Sequence, residues 1–239
     1  MTKPSTHKAS RRVSRPPASE RSTPPAGGRR ATPRQASEWL AERDPVIASL
    51  MEEFGPPSFP KPTEARFAVL VRSITQQQLA GPAARAIHGR LVSALDGEVT
   101  PERMLSVPEE TLREAGLSGR KAASLRDLAG KIMDGTLRLD GRALSRESDE
   151  EIVARLSSVR GIGKWSAEIF LMFQLRRLDV WPTGDLGVRK GYALAWGGDV
   201  LTPKQLEQAG DVFRPYRSIA AWYCWTALRS GSGNGPEVS

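Results

Sequence analysis

Two segments hold the residues of this chain best suited to chemistry: Val159-Arg-Gly-Ile-Gly-Lys-Trp-Ser-Ala-Glu168 and Asp179-Val-Trp-Pro-Thr-Gly-Asp185-Leu-Gly-Val-Arg-Lys190. In the second, Asp185 stands in a Gly- and Pro-containing loop directly before a basic helix start. A carboxylate there can stabilise positive charge developing on a reacting group and can orient or deprotonate water. It can also cap the helix that follows Gly184, and the two roles are compatible.

In the first segment, a helix opened by the capping box Ser148-Asp-Glu-Glu151 breaks at Gly161-Ile162-Gly163, and an apolar helix (Ile169, Phe170, Met172, Phe173) resumes at once. This is a helix-hairpin-helix pattern. Two glycines allow positive φ and close approach to a partner, and the second helix aims its unpaired N–H groups and positive dipole end at an anion. A DNA phosphate fits, bound by Gly161, Gly163 and Lys164. The main-chain carbonyls of Ser157, Val159 and Gly161 are placed to hold a monovalent cation, Na or K, that bridges to the phosphate. Alone, a Gly-x-Gly tripeptide also serves as a tight interhelical turn.

The elements that must position these residues are helical almost throughout. Asp44-Pro45 starts a helix with Val46, Ile47, Leu50, Met51 and Phe54 at helical spacing, and Gly55-Pro56-Pro57 ends it. Phe67, Leu70, Val71 and Ile74 form the next stripe, running into Thr75-Gln-Gln-Gln-Leu79 before a helix through Ala84, Ile87 and Leu91. Short helices start at Thr100-Pro101 and Val107-Pro108, and Ser118 caps a longer one that Gly135 ends. Later helices are expected near Pro203 and from Tyr216 to Leu228. The sum is an all-α domain of about nine or ten helices, residues 35–230, with a flexible tail at 231–239.

Composition narrows the function classes. Cys224 is the single cysteine, so a disulfide framework, a structural zinc and an iron–sulfur cluster are excluded by counting. No apolar run approaches the ~18 residues of a membrane span, and a cytoplasmic location is expected, with the nucleoid if the source is bacterial. The net charge of +8 suggests nucleic acid, yet residues 1–34 hold nine Lys or Arg against Glu20, leaving 26 basic and 26 acidic residues in the rest. Any DNA affinity of the folded body must come from local geometry. Residues 1–34 read as a disordered basic arm, either a solubilising extension or a salt-sensitive tether to DNA.

Taken in order, the two chemical segments resemble the helix-hairpin-helix (HhH-GPD) DNA glycosylase superfamily. Further blocks agree: Ile74-Thr-Gln-Gln-Gln-Leu-Ala80, Leu117-Ser-Gly-Arg-Lys-Ala122 and Phe213-Arg-Pro-Tyr-Arg-Ser-Ile-Ala-Ala-Trp222. The last resembles the DNA-3-methyladenine glycosylase II branch, in its compact form, over roughly residues 40–230. The resemblance implies two helical subdomains with the active-site cleft between them, and a monomer acting on double-stranded DNA. It implies Asp185 as the catalytic carboxylate, and Trp165, Ile169 and Trp225 as the base pocket, with core packing an equal reading for Trp225. Gln77 or Gln78 fills the hole left by a flipped base, Gln78 being favoured. Members that also cut the backbone carry a Schiff-base lysine where this chain has Trp165, so the implied activity is monofunctional release of alkylated purines with no required cofactor. Alternatives are the same fold acting on other bases or with lyase activity through Lys164, and a non-catalytic DNA-binding protein. His88, mid-helix, reads as structural.

Overall fold

Helices begin where the sequence supplies caps. The computed structural model describes residues 31–231, within which thirteen α-helices and no strand occur. In chain order these are α1 (Pro33–Ala41), α2 (Pro45–Phe54), α3 (Arg66–Gln76), α4 (Gly81–Ala94), α5 (Pro101–Ser106), α6 (Glu109–Glu114) and α7 (Gly119–Met133). There follow α8 (Gly141–Arg146), α9 (Asp149–Ser157), α10 (Lys164–Phe173), α11 (Leu186–Trp196), α12 (Pro203–Ala209), a 3-10 turn (Gly210–Phe213) and α13 (Arg217–Gly231). Asp44 accepts the Val46 and Ile47 N–H groups at 2.9 and 3.0 Å, and Ser148 and Glu151 form their reciprocal box at the head of α9.

Three expectations need correction. Helix α1 starts inside the segment assigned to the arm, because Thr32-Pro-Arg-Gln35 is itself a capping box. Helix α8, capped by Asp140, is an addition, and α13 continues past Leu228 to Gly231. With these the helices outnumber the nine or ten expected. The rest of the basic arm, residues 1–30, and the tail at 232–239 lie outside the described residues.

The helices form two groups. Around α7 pack α3, α5 and α6, with α4 against α3 and α6. Around α13 pack α1, α2 and α11, with α12 joined through the 3-10 turn. The helix-hairpin-helix unit, α9 and α10, stands between them: the Arg160 N–H of the hairpin donates to Asp127 of α7, while Trp165 of α10 reaches Asp185 at the start of α11. One contiguous apolar core runs beneath all three parts. No helix among the described residues is long and apolar enough to cross a membrane.

Helix α13 is the core of its group, with Ile219, Ala220, Ala221, Tyr223 and Cys224 fully buried. Its approach to α11 is set by Gly191, where an added Cβ would lie 1.9 Å from the Cys224 carbonyl oxygen. Both walls of that contact are backbone, so no rotamer can relieve it. Gly191→Ala should therefore lower stability by about 3 kcal/mol, read as a melting-temperature drop of roughly 10 °C. Gly89→Ala, inside α4 with open space around the new methyl, should raise stability by up to ~1 kcal/mol.

Candidate active site

Asp185 takes its place through its own backbone. It is the N-cap of α11, and its Oδ1 accepts the Val188 N–H at 2.8 Å. Two indoles complete its surroundings: Trp225 Nε1 donates to Oδ1 at 3.0 Å and Trp165 Nε1 donates to Oδ2 at 2.6 Å. Capping leaves the second oxygen to other partners: Oδ1 holds the helix, while Oδ2 meets the exposed Trp165. The loop before Asp185 is anchored to the start of α13. Arg217 pairs with Asp179 through Nε at 2.8 Å, and Ser218 Oγ accepts the Val180 N–H at 2.9 Å and donates to the Arg177 carbonyl at 2.8 Å. One helix therefore fixes the loop at its first turn and supplies Trp225 two turns later.

Trp165, Ile169 and Phe173 recur every fourth residue along α10 and so share a face. Trp165 is 47% exposed, large for an indole tied down by a hydrogen bond, and Ile169 and Phe173 are half-buried. Phe173 stacks on Trp225 at 6.1 Å between ring centroids and meets Phe59 edge-on at 5.6 Å. The result is an aromatic surface beside a carboxylate, suited to a flat, electron-poor ligand. Trp225 packs against the apolar core while its Nε1 reaches the acid. Phe173 and Phe59 are not among the pocket residues that the sequence implies, although the spacing from Trp165 signals Phe173. Trp222 packs into the core, and His88 on α4 makes none of the site's hydrogen bonds.

The hairpin runs from Ser158 to Gly163. Gly161 has φ of +81° and nearly touches Ser124 of α7, so its place requires glycine. Gly163 does not use its freedom. Its φ of −94° is open to any residue, and it serves as the N-cap of α10 with no side chain over the first N–H groups. That end of α10 is left available to an anion. Lys164 is 67% exposed and lies 3.6 Å from Glu168 Oε1. The hairpin borders an open cavity of about 720 Å³ lined also by Asp127 and Lys131. Of the three carbonyls suggested for a cation, Val159 already accepts the Ile162 N–H at 3.1 Å and Gly161 accepts Gln77 Nε2 at 2.9 Å. Each keeps a second lone pair, so the donor set still fits a monovalent ion.

The two glutamines differ. Gln76 to Leu79 form a type II turn closed by the Leu79 N–H on the Gln76 carbonyl at 3.3 Å. Gln77 is half-buried, whereas Gln78 is exposed at the tip with φ of +58°, a left-handed position that favours glycine. A second carboxylate also lies near Asp185. Glu168 is only 6% exposed, and burial pushes its carboxyl up to about 7 against the opposing pull of Lys164.

A family model described as "HhH-GPD superfamily base excision DNA repair protein" matches residues 71–215. DNA-3-methyladenine glycosylase 1 of Schizosaccharomyces pombe is 36% identical over 159 residues, 65% of this chain and 69% of that protein. The crystal structure of a DNA-3-methyladenine glycosidase from Bacillus halodurans superposes with a TM-score of 0.73 at 33% identity, covering 81% of this chain and 89% of that one. The S. pombe 3-methyladenine DNA glycosylase in complex with abasic DNA superposes with a TM-score of 0.72 at 30% identity, covering 85% and 100%.

Two outcomes follow from the site's geometry. Glu168 holds its proton more tightly folded than unfolded, so native stability should fall as pH rises from 4.5 to about 7 and level off above that. Urea titrations of Glu168→Gln and wild type should differ little at pH 4.5 and by on the order of 2 kcal/mol in the variant's favour at pH 8; parallel profiles would refute this. Gln78→Gly should hold or raise stability by about 0.5–1 kcal/mol while lowering activity on DNA, separating function from fold at one residue.

Proposed function

This chain belongs to the HhH-GPD superfamily of base excision DNA repair proteins, and from that premise we propose that it is a monofunctional DNA glycosylase. It flips alkylated purines, of the 3-methyladenine and 7-methylguanine kind, out of duplex DNA and hydrolyses their bond to deoxyribose. The observation that carries this is the pair of indole N–H groups aimed at the two oxygens of Asp185, beside an aromatic surface.

Breaking an N-glycosidic bond builds oxocarbenium character on the sugar. Asp185, oriented by the Val188 N–H and both indoles, places a fixed carboxylate against that charge and directs the attacking water. An alkylated purine carries a positive charge, which weakens the glycosidic bond and favours stacking on electron-rich rings; Trp165, Ile169, Phe173 and Trp225 supply that surface. A lyase needs an amine at the place the resemblance gives to the Schiff-base lysine, and Trp165 offers none there. The backbone phosphate is met by the open N-terminus of α10 with Gly161, Gly163 and Lys164. The carbonyls of Ser157, Val159 and Gly161 would hold Na or K there, adding positive charge at the phosphate. Gln78 fills the place of the flipped base. Acid, pocket, hairpin and turn all come from one chain, so a monomer suffices.

The decisive assay is release of free base from methylated duplex DNA by wild type and Asp185→Asn, with DNA binding measured in parallel. Asparagine keeps an oxygen to cap α11, so the variant should fold and bind, yet release base at least about 100-fold more slowly. Borohydride should trap no adduct with either protein. Wild type that binds but frees no alkylated purine would overturn the substrate, and an active Asp185→Asn would overturn the role of the acid.

A further inference from the structure

The turn and the hairpin that the glycosylase reading sends to DNA lie far apart in sequence yet are bonded to each other. Gln77 Nε2 donates to the Gly161 carbonyl at 2.9 Å, across 84 residues of chain. Both elements also rest on α7. Lys121 Nζ donates to the carbonyls of Thr75 and Gln77, each at 2.7 Å, placing a cation on the last, electronegative turn of α3. One turn along, Ser124 Oγ, held by the Arg120 carbonyl at 2.9 Å, stands so close to Gly161 that an added Cβ would be 2.7 Å away. A turn further, Asp127 accepts the Arg160 N–H at 2.7 Å and is itself gripped by Lys131 at 2.7 Å.

Residues 121, 124, 127 and 131 recur at three- and four-residue spacing, so they form one face of one helix. Burial makes Lys121 easier to deprotonate than an exposed lysine, and two carbonyl acceptors are what it receives for its remaining protons. Gln77 is thus fixed at both its carbonyl and its amide. Gln78, next to it, makes no side-chain hydrogen bond to any described residue and stands out at φ of +58°.

We propose that Gln77 is a positioning residue rather than a wedge: with Lys121 it forms a strut that locks the turn carrying Gln78 to the phosphate-binding hairpin. Helix α7 then acts as a ruler, holding the point of insertion at a set distance from the phosphate grip. A side chain pressed between stacked bases meets a restoring force, and an unsupported four-residue turn would yield to it; two main-chain anchors and one cross-link resist it. This rests on the glycosylase reading only for the purpose of the insertion.

The test uses the full chain and a duplex with a tetrahydrofuran abasic site beside 2-aminopurine, whose fluorescence rises when the stack opens. Base release from methylated duplex runs alongside. Wild type should brighten the probe and Gln78→Ala should not. Gln77→Ala and Lys121→Met should each cut the response and kcat roughly tenfold, with KM and affinity for undamaged duplex within about twofold. Lys121→Arg, which keeps donors for both carbonyls, should restore the response. The Gln77→Ala/Lys121→Met double variant should be no worse than either single, because both break one support. Full brightening by Lys121→Met, additive losses in the double variant, or weakened binding of undamaged duplex by Gln77→Ala would each overturn the strut. A silent wild type would overturn it too. Because the probe needs no base release, this pattern in a chain that frees no base would sink the glycosylase reading and leave the strut standing.

Discussion

The site depends on how closely two helices can approach. Helix α11 is capped by Asp185, α13 carries Trp225, and they meet backbone to backbone at Gly191, where even a methyl group has no room. One turn nearer the acid, Gly187 leaves the space that the Trp225 ring and the Asp185 carboxylate share; a Cβ there would fall 2.9 Å from Oδ1 and 3.0 Å from the indole. Two glycines four residues apart therefore set the depth at which the indole N–H reaches its acceptor. Dense packing transmits any change in that depth to the acid, because interiors close up only in part around a misfit.

Local environment divides the labour between two carboxylates. Asp185 sits half-buried at a helix N-terminus with three donors around it, which fix the orientation of its carboxyl group. Glu168, sunk into α10, is opposed only by the exposed Lys164 3.6 Å away, so burial dominates and it keeps its proton into the neutral range. The residue beside the exposed aromatic surface is the one whose two oxygens are held by donors. The nearby buried acid is quietened by the same desolvation that would make a second anion costly.

The interaction with DNA is similarly local. The body of the chain from residue 35 onward is electrically neutral overall, and the features suited to a phosphate are backbone ones: an uncapped helix start and a left-handed glycine that shapes the turn before it. Such groups are effective only at fixed distances, which is why ion pairs and main-chain hydrogen bonds brace the loops that carry them. Arg217 and Ser218 hold the loop before Asp185, Asp127 holds the hairpin, and Lys121 holds the turn after α3.

By itself the sequence determined the elements and the chemistry. Caps such as Asp44, Ser118 and Ser148, apolar stripes at helical spacing, and the ordered blocks around Gly161 and Asp185 are short-range patterns, legible because capping and periodicity act within a few residues. Where such signals were masked by composition, elements were missed: Thr32-Pro-Arg-Gln35 is a capping box lying in a stretch otherwise read as a disordered arm. Only the tertiary structure decided which groups meet. That both indoles donate to one carboxylate, that Phe59 joins the aromatic surface, that Gln77 is tied to Gly161 while Gln78 is exposed, and that Glu168 is buried are consequences of contacts between residues up to more than a hundred positions apart. Spacing along a chain constrains which side chains share a helix face, but the distance between faces is set by packing, and no local pattern encodes it.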